Sequence, residues 1–316
     1  MIKRNKQSAE QTPEMVEQTY TIGNGSFIAS KIVFIILGVL MAVFSVSLVI
    51  PIIWTIVSSF KDTFDYTLNP FSLPDIWMFE NYSYAWQALS VEVWNASTKT
   101  LVNYTYGKMF LYSLFITVVS SFMNVFLPTL TAYIVNKYKF PGRDFLYKMA
   151  VFIMIVPIVG SLSSSLAIRR SLGIYDNLIP FLLTSGSGFG FNFILMYGVF
   201  KSLSWTYAEA AFIDGAGHHT VMYRIFMPMV LPTMFALFVL AFVGGWNDYM
   251  TIITYLPSYP NLAYGMYMFD MLSTVKQHTD PEVMAGFVLV AIPTVIIWCL
   301  SQKFIVGKVM IGGLKG

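Results

Sequence analysis

The residues best suited to chemistry in this sequence lie in one polar stretch, Glu209–Pro228, between two long apolar runs. It reads EAAFIDGAGHHTVMYRIFMP, with the carboxylates Glu209 and Asp214 and the adjacent histidines His218 and His219. Carboxylates and imidazoles in one segment could bind a metal ion. Neighbouring histidines on a helix point about 100° apart, so they make a poor chelating pair. The stretch is therefore better explained as a charged surface than as a metal site.

Sequence motifs for catalysis are missing from the chain. It has no G-x-x-x-x-G-K-[ST] phosphate loop, no H-E-x-x-H zinc motif, no Cys/His cluster and no nucleophile elbow. The segment GSGFG at 186–190 is not the dinucleotide fingerprint, and its small residues favour a close approach between helices. We therefore expect no catalytic residue, no metal and no cofactor in this chain, and a role other than that of an enzyme.

One carboxylate, Asp248, lies close to an apolar run, in the segment GGWNDY. A charged group at membrane depth is costly and is a functional candidate by default. Asp248 also follows Leu231 by 17 residues, which places it near the end of a helical span. It could therefore cap a helix or line a path for solute, and the sequence leaves both alternatives open.

The bulk composition fixes the class of protein that must position these groups. Of 316 residues, 56% are hydrophobic and only 11% are charged, with a mean hydropathy of +0.65. Soluble domains are closer to 25% charged. The chain is thus an integral membrane protein surrounded by lipids, and its net charge of +3 does not suggest binding to nucleic acid.

Six apolar runs are long enough to cross a bilayer, which takes about 20 helical residues. They lie at residues 32–57, 109–135, 145–168, 178–200, 229–255 and 284–305. The fourth run is the weakest, because its centre, TSGSGFGFNF, mixes serine and asparagine with glycine. The sequence therefore predicts an all-α membrane protein with six transmembrane helices.

Lysines and arginines indicate the orientation of these spans. With both termini in the cytosol, thirteen of the 19 basic residues fall on the inner side, as the positive-inside rule requires. This orientation places Glu209–Pro228 inside the cell. The predicted organisation is a cytosolic arm (1–31), a first helix (32–57), an aromatic-rich outer region (58–108), a core (109–306) with an inner loop (201–228), and a cytosolic tail (307–316).

The inner loop itself has the pattern of two short helices. Thr206 and Glu209 fit the T-x-x-E capping box, with Ser204 as an alternative cap. Ala208, Ala211, Phe212 and Gly215 would form one face with mostly small side chains, and Gly215 and Gly217 would end this helix. A second helix would cover 219–226. Helices this short are marginal in water, so we expect them to dock on a partner, although a linker lying on the membrane is the alternative.

These residues resemble the EAA loop of binding-protein-dependent ABC import permeases. The match comprises Glu209-Ala210-Ala211, Gly215 after three residues, and Ile225-x-Met227-Pro228 after nine more, with Met227 where the family has leucine. The segments PIIWTIVSSFKD, AYIVNKYKFPGR, GGWNDY and FIVGKVMIGGLKG further resemble the second permease of maltose-type carbohydrate importers. The outer region near LSVEVWNASTKTLVNYTYG departs from that pattern by being longer.

The resemblance implies a MetI-like permease in a bacterial cell membrane. Its partners would be a second homologous permease, two cytosolic ATPases that hold ATP and Mg²⁺, and an extracellular solute-binding protein. The implied contacts with the ATPases are, in the coupling helix, Glu209, Ala210, Ala211, Phe212, Asp214, Gly215 and Gly217, and in the tail, Lys308, Gly312, Gly313 and Lys315. Candidates for the solute path are Asn192, Tyr197, Asn247 and Asp248.

Two other functions remain compatible with the sequence. One is an ABC import permease for a solute other than sugar, because the EAA loop alone does not specify the cargo. The other is a stand-alone membrane channel or carrier, which would conduct solute without an ATPase. Co-purification of an ATPase distinguishes the second alternative from an importer subunit.

Overall fold

The computed structural model describes residues 24–95, 99–156 and 160–308. The helices are α1 (Asn24–Ser58), α2 (Thr63–Leu68), α3 (Glu80–Ala88), α4 (Tyr106–Lys137), α5 (Arg143–Ile155), α6 (Leu162–Ser171), α7 (Leu178–Leu183), α8 (Phe191–Ser202), α9 (Thr206–Ile213), α10 (His218–Thr220), α11 (Met227–Trp246), α12 (Tyr249–Tyr255), α13 (Leu262–Met271), α14 (Ser273–Lys276) and α15 (Asp280–Lys308). A π-helix, Val221–Phe226, joins α10 to α11, and two strands, β1 (Ser90–Asn95) and β2 (Thr100–Thr105), pair with each other.

Four helices within the described residues are long and apolar enough to cross a membrane. They cover Lys31–Ser58, Tyr106–Lys137, His218–Trp246 and Asp280–Gln302. The first, second and sixth predicted runs fall on these helices. The helix that contains the fifth predicted run begins earlier than that run, at His218, and ends at Trp246. The first of these helices belongs mostly to a separate unit, residues 1–54, while residues 55–316 form the second unit.

The third and fourth predicted runs are not single continuous helices. The third is divided between α5 and α6, and the fourth between α7 and α8, with residues 184–190 between the latter pair. A side chain at Gly186 would collide with the carbonyl of Met123 on α4, and Gly188 accepts a hydrogen bond from Thr131. The glycines thus permit the close approach that the sequence predicted, and they lie in the non-helical segment between α7 and α8. The number of six spans stays a prediction.

The aromatic-rich outer region contains the one departure from an all-α fold that the described residues show. Strands β1 and β2 form an antiparallel hairpin in which Val91 pairs with Tyr104 and Val93 with Val102. Val91 and Tyr104 are buried, while Trp94 and Leu101 are exposed. This alternation is what a half-buried strand requires, so the all-α prediction is wrong for this segment.

Buried side chains of the second unit form three clusters along α4. One lies at the α9 end, where α4, α8, α9 and α11 meet, and it includes Tyr133, Phe200, Ala208, Phe226 and Val230. The second lies under the hairpin, between α4, α11, α13 and α15, and includes Met109, Phe242, Trp246, Met266 and Val290. The third joins α4 to α7 and α12 through Ile116, Phe181, Leu182, Ile252 and Leu256. Helix α4 is therefore the central element on which the functional segments pack.

Candidate functional site

The inner side of helix α9 packs on the protein's own core. Ala208 is fully buried, and the Phe212 ring lies 4.9 Å from the ring of His218 and 6.1 Å from that of Trp205, measured between centroids. Trp205 in turn stacks on Phe226 at 6.1 Å. The face of small residues is thus filled by neighbouring aromatic side chains of the same chain. It does not present Ala208 to a partner, as the sequence suggested, because the helix needs this contact to be stable.

The opposite side of α9 is exposed. It carries the carboxylates Glu209 and Asp214, with Ala210 beside them, and the aliphatic side chain of Ile213, which is 86% exposed. Gly215 follows with a φ of +82°, a conformation that suits glycine and ends the helix. Sequence reasoning missed Ile213, although an isoleucine that lies off the apolar face of an amphipathic helix is a signal that could have identified it.

The predicted capping box at the start of α9 is not formed. No side-chain hydrogen bond caps this helix, although the Ser204 hydroxyl accepts a bond from the Thr206 amide at 3.2 Å. Glu209 is exposed. Within the described part of the chain, its carboxylate makes no hydrogen bond or ion pair. Its charge therefore remains available for a contact outside the chain.

The loop that carries α9 is fixed at both ends. The Lys137 ammonium group, at the end of α4, donates a hydrogen bond of 2.6 Å to the carbonyl of Leu203, and the Tyr138 hydroxyl lies 3.1 Å from Nδ1 of His218. From His218 the chain continues without a break to Trp246, so the separate second helix that was predicted is instead the start of the fifth span. These 29 residues form a rod of about 43 Å at 1.5 Å per residue.

A cavity of about 400 Å³ lies at the far end of this rod. Helices α4, α6, α7, α11 and α12 surround it, together with the start of the break after α7. Its lining residues are Ile116, Ser120, Ser121, Asn124, Arg169, Phe181, Ser185, Ala241, Gly244, Gly245, Asp248, Thr251 and Ile252. The volume falls in the range of small-molecule sites, and Arg169 and Asp248 are its two ionisable lining residues.

Asp248 caps a helix, which is one of the two roles that the sequence left open, and its place on a path for solute stays a prediction. Its Oδ1 accepts a hydrogen bond of 2.9 Å from the Thr251 amide and so caps α12, and the residue also lines the cavity. Arg169 comes from α6 and stacks over Tyr255 at 4.6 Å and Phe181 at 5.7 Å. No sequence motif predicts a role for Arg169, because the cavity is formed by helices that are far apart in sequence.

The other predicted path residues lie apart from one another. Asn192 donates hydrogen bonds to Asn124, which lines the cavity. Asn247 faces a second cavity, and its amide donates to the carbonyl of Val243 at 2.9 Å. Tyr197 stacks on Tyr147 at 4.5 Å within the cluster near α9. The structure therefore associates Asp248 directly, and Asn192 through a neighbour, with the cavity, and it does not bring Asn247 or Tyr197 to it.

The outer region is fastened by buried polar groups. The ammonium group of Lys61 is fully buried, lies 3.8 Å from the carboxylate of Asp65 and donates to Ser72 and to the carbonyl of Asn69. The amide of Asn81 donates to the carbonyls of Ser59 and Lys61, both at 2.9 Å. These bonds hold residues 59–81 in one compact arrangement.

A second polar contact joins α3 to the turn before α15. The hydroxyl of Tyr84 lies 2.7 Å from Nδ1 of His278, and the His278 ring packs on Phe269 at 4.5 Å. Burial lowers the pKa of His278, the nearby carboxylate of Glu282 opposes this shift, and the charge of Lys276 adds to it. Neutral His278 is therefore the form that this contact favours.

Metal binding finds no support among the described residues, since no group of three or more His, Cys, Asp or Glu side chains is close enough to hold an ion. Lys308 ends α15, whereas Gly312, Gly313 and Lys315 lie outside the described residues. Their predicted contacts with the ATPases stay a prediction.

Comparison with known proteins identifies related chains. Residues 125–309 match the family described as "Binding-protein-dependent transport system inner membrane component". A diacetylchitobiose uptake system permease of Streptomyces coelicolor is 29% identical over 87% of this chain and 87% of its own. A maltodextrin transport system permease of Bacillus subtilis is 29% identical over 61% of this chain and 70% of its own. A bacterial ABC transporter that imports the polysaccharide alginate aligns with a TM-score of 0.68 and 22% identity, over 87% of this chain and 97% of that one, and so has the same fold.

Proposed function

Because the chain belongs to the family of inner membrane components of binding-protein-dependent transport systems, we propose that it is the permease subunit of an ATP-driven importer of sugars or oligosaccharides. The family match over residues 125–309 carries this proposal. The relatives named for diacetylchitobiose and maltodextrin transport support a saccharide as cargo. ATP and Mg²⁺ would be held by partner ATPases, since this chain has no phosphate loop of its own.

The exposed side of α9 is the surface that docks on an ATPase. It combines the charges of Glu209 and Asp214 with the apolar side chain of Ile213. An apolar anchor surrounded by charged groups is the usual composition of a specific interface. Because the other side of α9 is packed in the core, a force applied to the exposed side moves the helix together with the bundle.

The rod from His218 to Trp246 then connects the ATPase contact to the cavity. ATP binding draws the two ATPases together, and the loop moves with the ATPase on which it docks. The rod transmits this movement to Gly244, Gly245 and Asp248 at the cavity. The π-helix at 221–226 lies near the start of the rod, next to the proposed ATPase contact. Short π-helical segments inside α-helices are frequent at functional sites. The equilibrium shifts only by the difference in affinity of ATP and of the loaded binding protein for the two states.

The complete importer in this proposal has three kinds of partner. They are a second homologous permease that completes the translocation path, two ATPases on the cytosolic side and a solute-binding protein on the outer side. Six spans with both termini in the cytosol would place α9 and the tail (307–316) on the ATPase side and the region 58–108 on the binding-protein side. The excess of lysines and arginines in the predicted inner segments supports this orientation.

A double variant of the loop tests the proposal. Glu209→Ala removes the exposed charge, and Gly215→Pro cannot adopt the φ of +82° that ends α9. The variant should insert into the membrane normally but uncouple ATP hydrolysis from sugar uptake. Glu92→Ala, an exposed carboxylate on the hairpin, is the control and should retain uptake. Normal uptake by the loop variant, or purification of the importer without an ATPase, would refute the proposal.

A further inference from the structure

The cavity beside Asp248 contains polar groups that the fold leaves without partners. Within the described part of the chain, the Nη1 atom of Arg169 and the hydroxyl of Ser121 are buried and have no hydrogen-bond partner. Ser121 is 2% exposed, and both residues line the cavity. A buried donor without a partner costs about 1–3 kcal/mol, so such groups call for an explanation. A ligand that accepts their hydrogen bonds supplies one.

The charges around the cavity restrict the chemistry of that ligand. Arg169 contributes a positive charge and Asp248 a negative one, and no ion pair of 4.0 Å or less joins the two groups among the described residues. An anionic ligand would gain from Arg169 but be repelled by Asp248, and a cationic ligand would meet the reverse. A hydroxyl group can accept from the guanidinium and donate to the carboxylate. The pair therefore favours a neutral ligand with several hydroxyl groups.

The remaining lining combines hydrogen-bonding groups with apolar side chains, and a sugar ring has both hydroxyl and C–H groups to contact them. Ser120 and Asn124 lie one helical turn apart on α4 and offer further hydrogen-bonding groups. Ile116, Phe181 and Ile252 are nearly fully buried and supply an apolar wall for the C–H face of a ring. Gly244 leaves room, since a side chain at this position would point into open space. A mainly apolar lining with a few polar groups is the composition of a ligand site.

We infer that this cavity is a saccharide subsite on the translocation path, and that it selects neutral sugars over acidic or basic ones because Arg169 and Asp248 face the same space. The inference rests on the proposed function, since it assigns the cargo of that importer by charge class. It gives Arg169 a binding role and gives Asp248 a second role beyond capping α12.

Protection of a single cysteine from labelling tests the inference in the complete importer. Cys299, the one native cysteine, is exposed and does not line the cavity. In a Cys299→Ser background, Ser120→Cys places a thiol on the cavity wall. A small thiol reagent is applied to membrane vesicles with diacetylchitobiose or maltotriose (neutral), chitobiose (cationic) or digalacturonate (anionic). The neutral sugars should slow labelling at position 120, and the charged sugars should need roughly tenfold higher concentrations for the same effect, or about 1.4 kcal/mol.

Charge variants make the result specific to the proposed pair. Asp248→Asn keeps an oxygen to cap α12 and should shift the preference towards digalacturonate. Arg169→Gln should shift it towards chitobiose. Arg170→Gln is the matched control, because Arg170 stacks on Tyr175 at 4.7 Å and does not line the cavity, and it should leave the preference unchanged. Labelling of native Cys299, in each variant without the reporter, should not respond to sugar, because Cys299 does not line the cavity.

Several outcomes would overturn the inference. They are equal protection by all four sugars, protection by none, stronger protection by a charged sugar in the unaltered cavity, or no change of preference in the two charge variants. ATP-driven uptake is measured in the same vesicles. If uptake is normal and protection fails, the subsite is refuted while the importer function stands. If ATP drives no uptake of any solute, the proposed function fails first.

Discussion

The exposed isoleucine of helix α9 should act as an anchor for the ATPase. Ile213 is 86% exposed in the chain alone, and full burial of such a side chain contributes roughly 1.5–3 kcal/mol. Scaled by the exposed fraction, docking would gain about 1.3–2.6 kcal/mol from this residue. Ile213→Ala should therefore weaken binding of the ATPase roughly 10- to 70-fold, at about 1.4 kcal/mol per tenfold change. Folding should be unaffected, because an exposed side chain stabilises the chain very little.

The assay compares two variants that each shorten an exposed isoleucine to alanine, one on α9 and one on α7. The full-length chain, with its partner permease, is placed in lipid nanodiscs, and the Kd for the ATPase is measured by titration. Ile179→Ala is the control, since Ile179 is 59% exposed on α7, far from α9 in sequence. The control should bind as tightly as the unaltered chain. A Kd for Ile213→Ala within twofold of the control would refute the assignment of this surface.

Three further predictions concern stability and pH. Lys61→Met should destabilise the outer region by about 3–5 kcal/mol, because it leaves the buried carboxylate of Asp65 without its cation. Adding Asp65→Leu should recover most of the lost stability. The stability of each variant is measured by its resistance to proteolysis under folding conditions. Gly186→Ala should lower thermal stability by about 1–3 kcal/mol through collision with the α4 backbone, whereas Gly198→Ala, with open space around it, should not; equal effects would contradict the packing argument. Since burial holds the pKa of His278 below 6.5, the contact of His278 with α3 should be fully stable above pH 6.5 and weaken as the pH falls below that value. Hydrogen-exchange protection of α3, corrected for intrinsic exchange rates, should show this loss. The pH dependence of the protection should disappear in His278→Gln.

Long apolar runs predicted the continuous helices because hydrophobicity alone determines them. The runs at 32–57, 109–135 and 284–305 all lie within single helices. The prediction of one helix over 178–200 failed, because residues 184–190 are not helical and Gly186 instead lies against the backbone of α4. Composition reports how apolar a segment is, but this contact depends on a helix about 60 residues away in sequence.

The hairpin and the cavity were missed for different reasons. Strands β1 and β2 have a readable signal, since polar Glu92 separates Val91 from Val93 and polar Asn103 separates Val102 from Tyr104. The segment was nevertheless described only as part of an aromatic-rich outer region. Arg169 had no readable signal, because its role depends on the meeting of α4, α6, α7, α11 and α12. The EAA segment was found because its residues are contiguous, although which of its faces is exposed depended on packing against Trp205 and the residues around it.

The central claim, that this chain couples ATP hydrolysis to sugar import, is tested most directly by uptake in proteoliposomes. Radiolabelled diacetylchitobiose or maltotriose is supplied with the binding protein, and uptake is compared for the complete importer with ATP, the complete importer with a non-hydrolysable analogue, and the chain alone. Concentrative uptake is expected only from the complete importer with ATP, and it should be lost in the Glu209→Ala plus Gly215→Pro variant. Uptake by the chain alone, or uptake that does not depend on ATP hydrolysis, would contradict this claim.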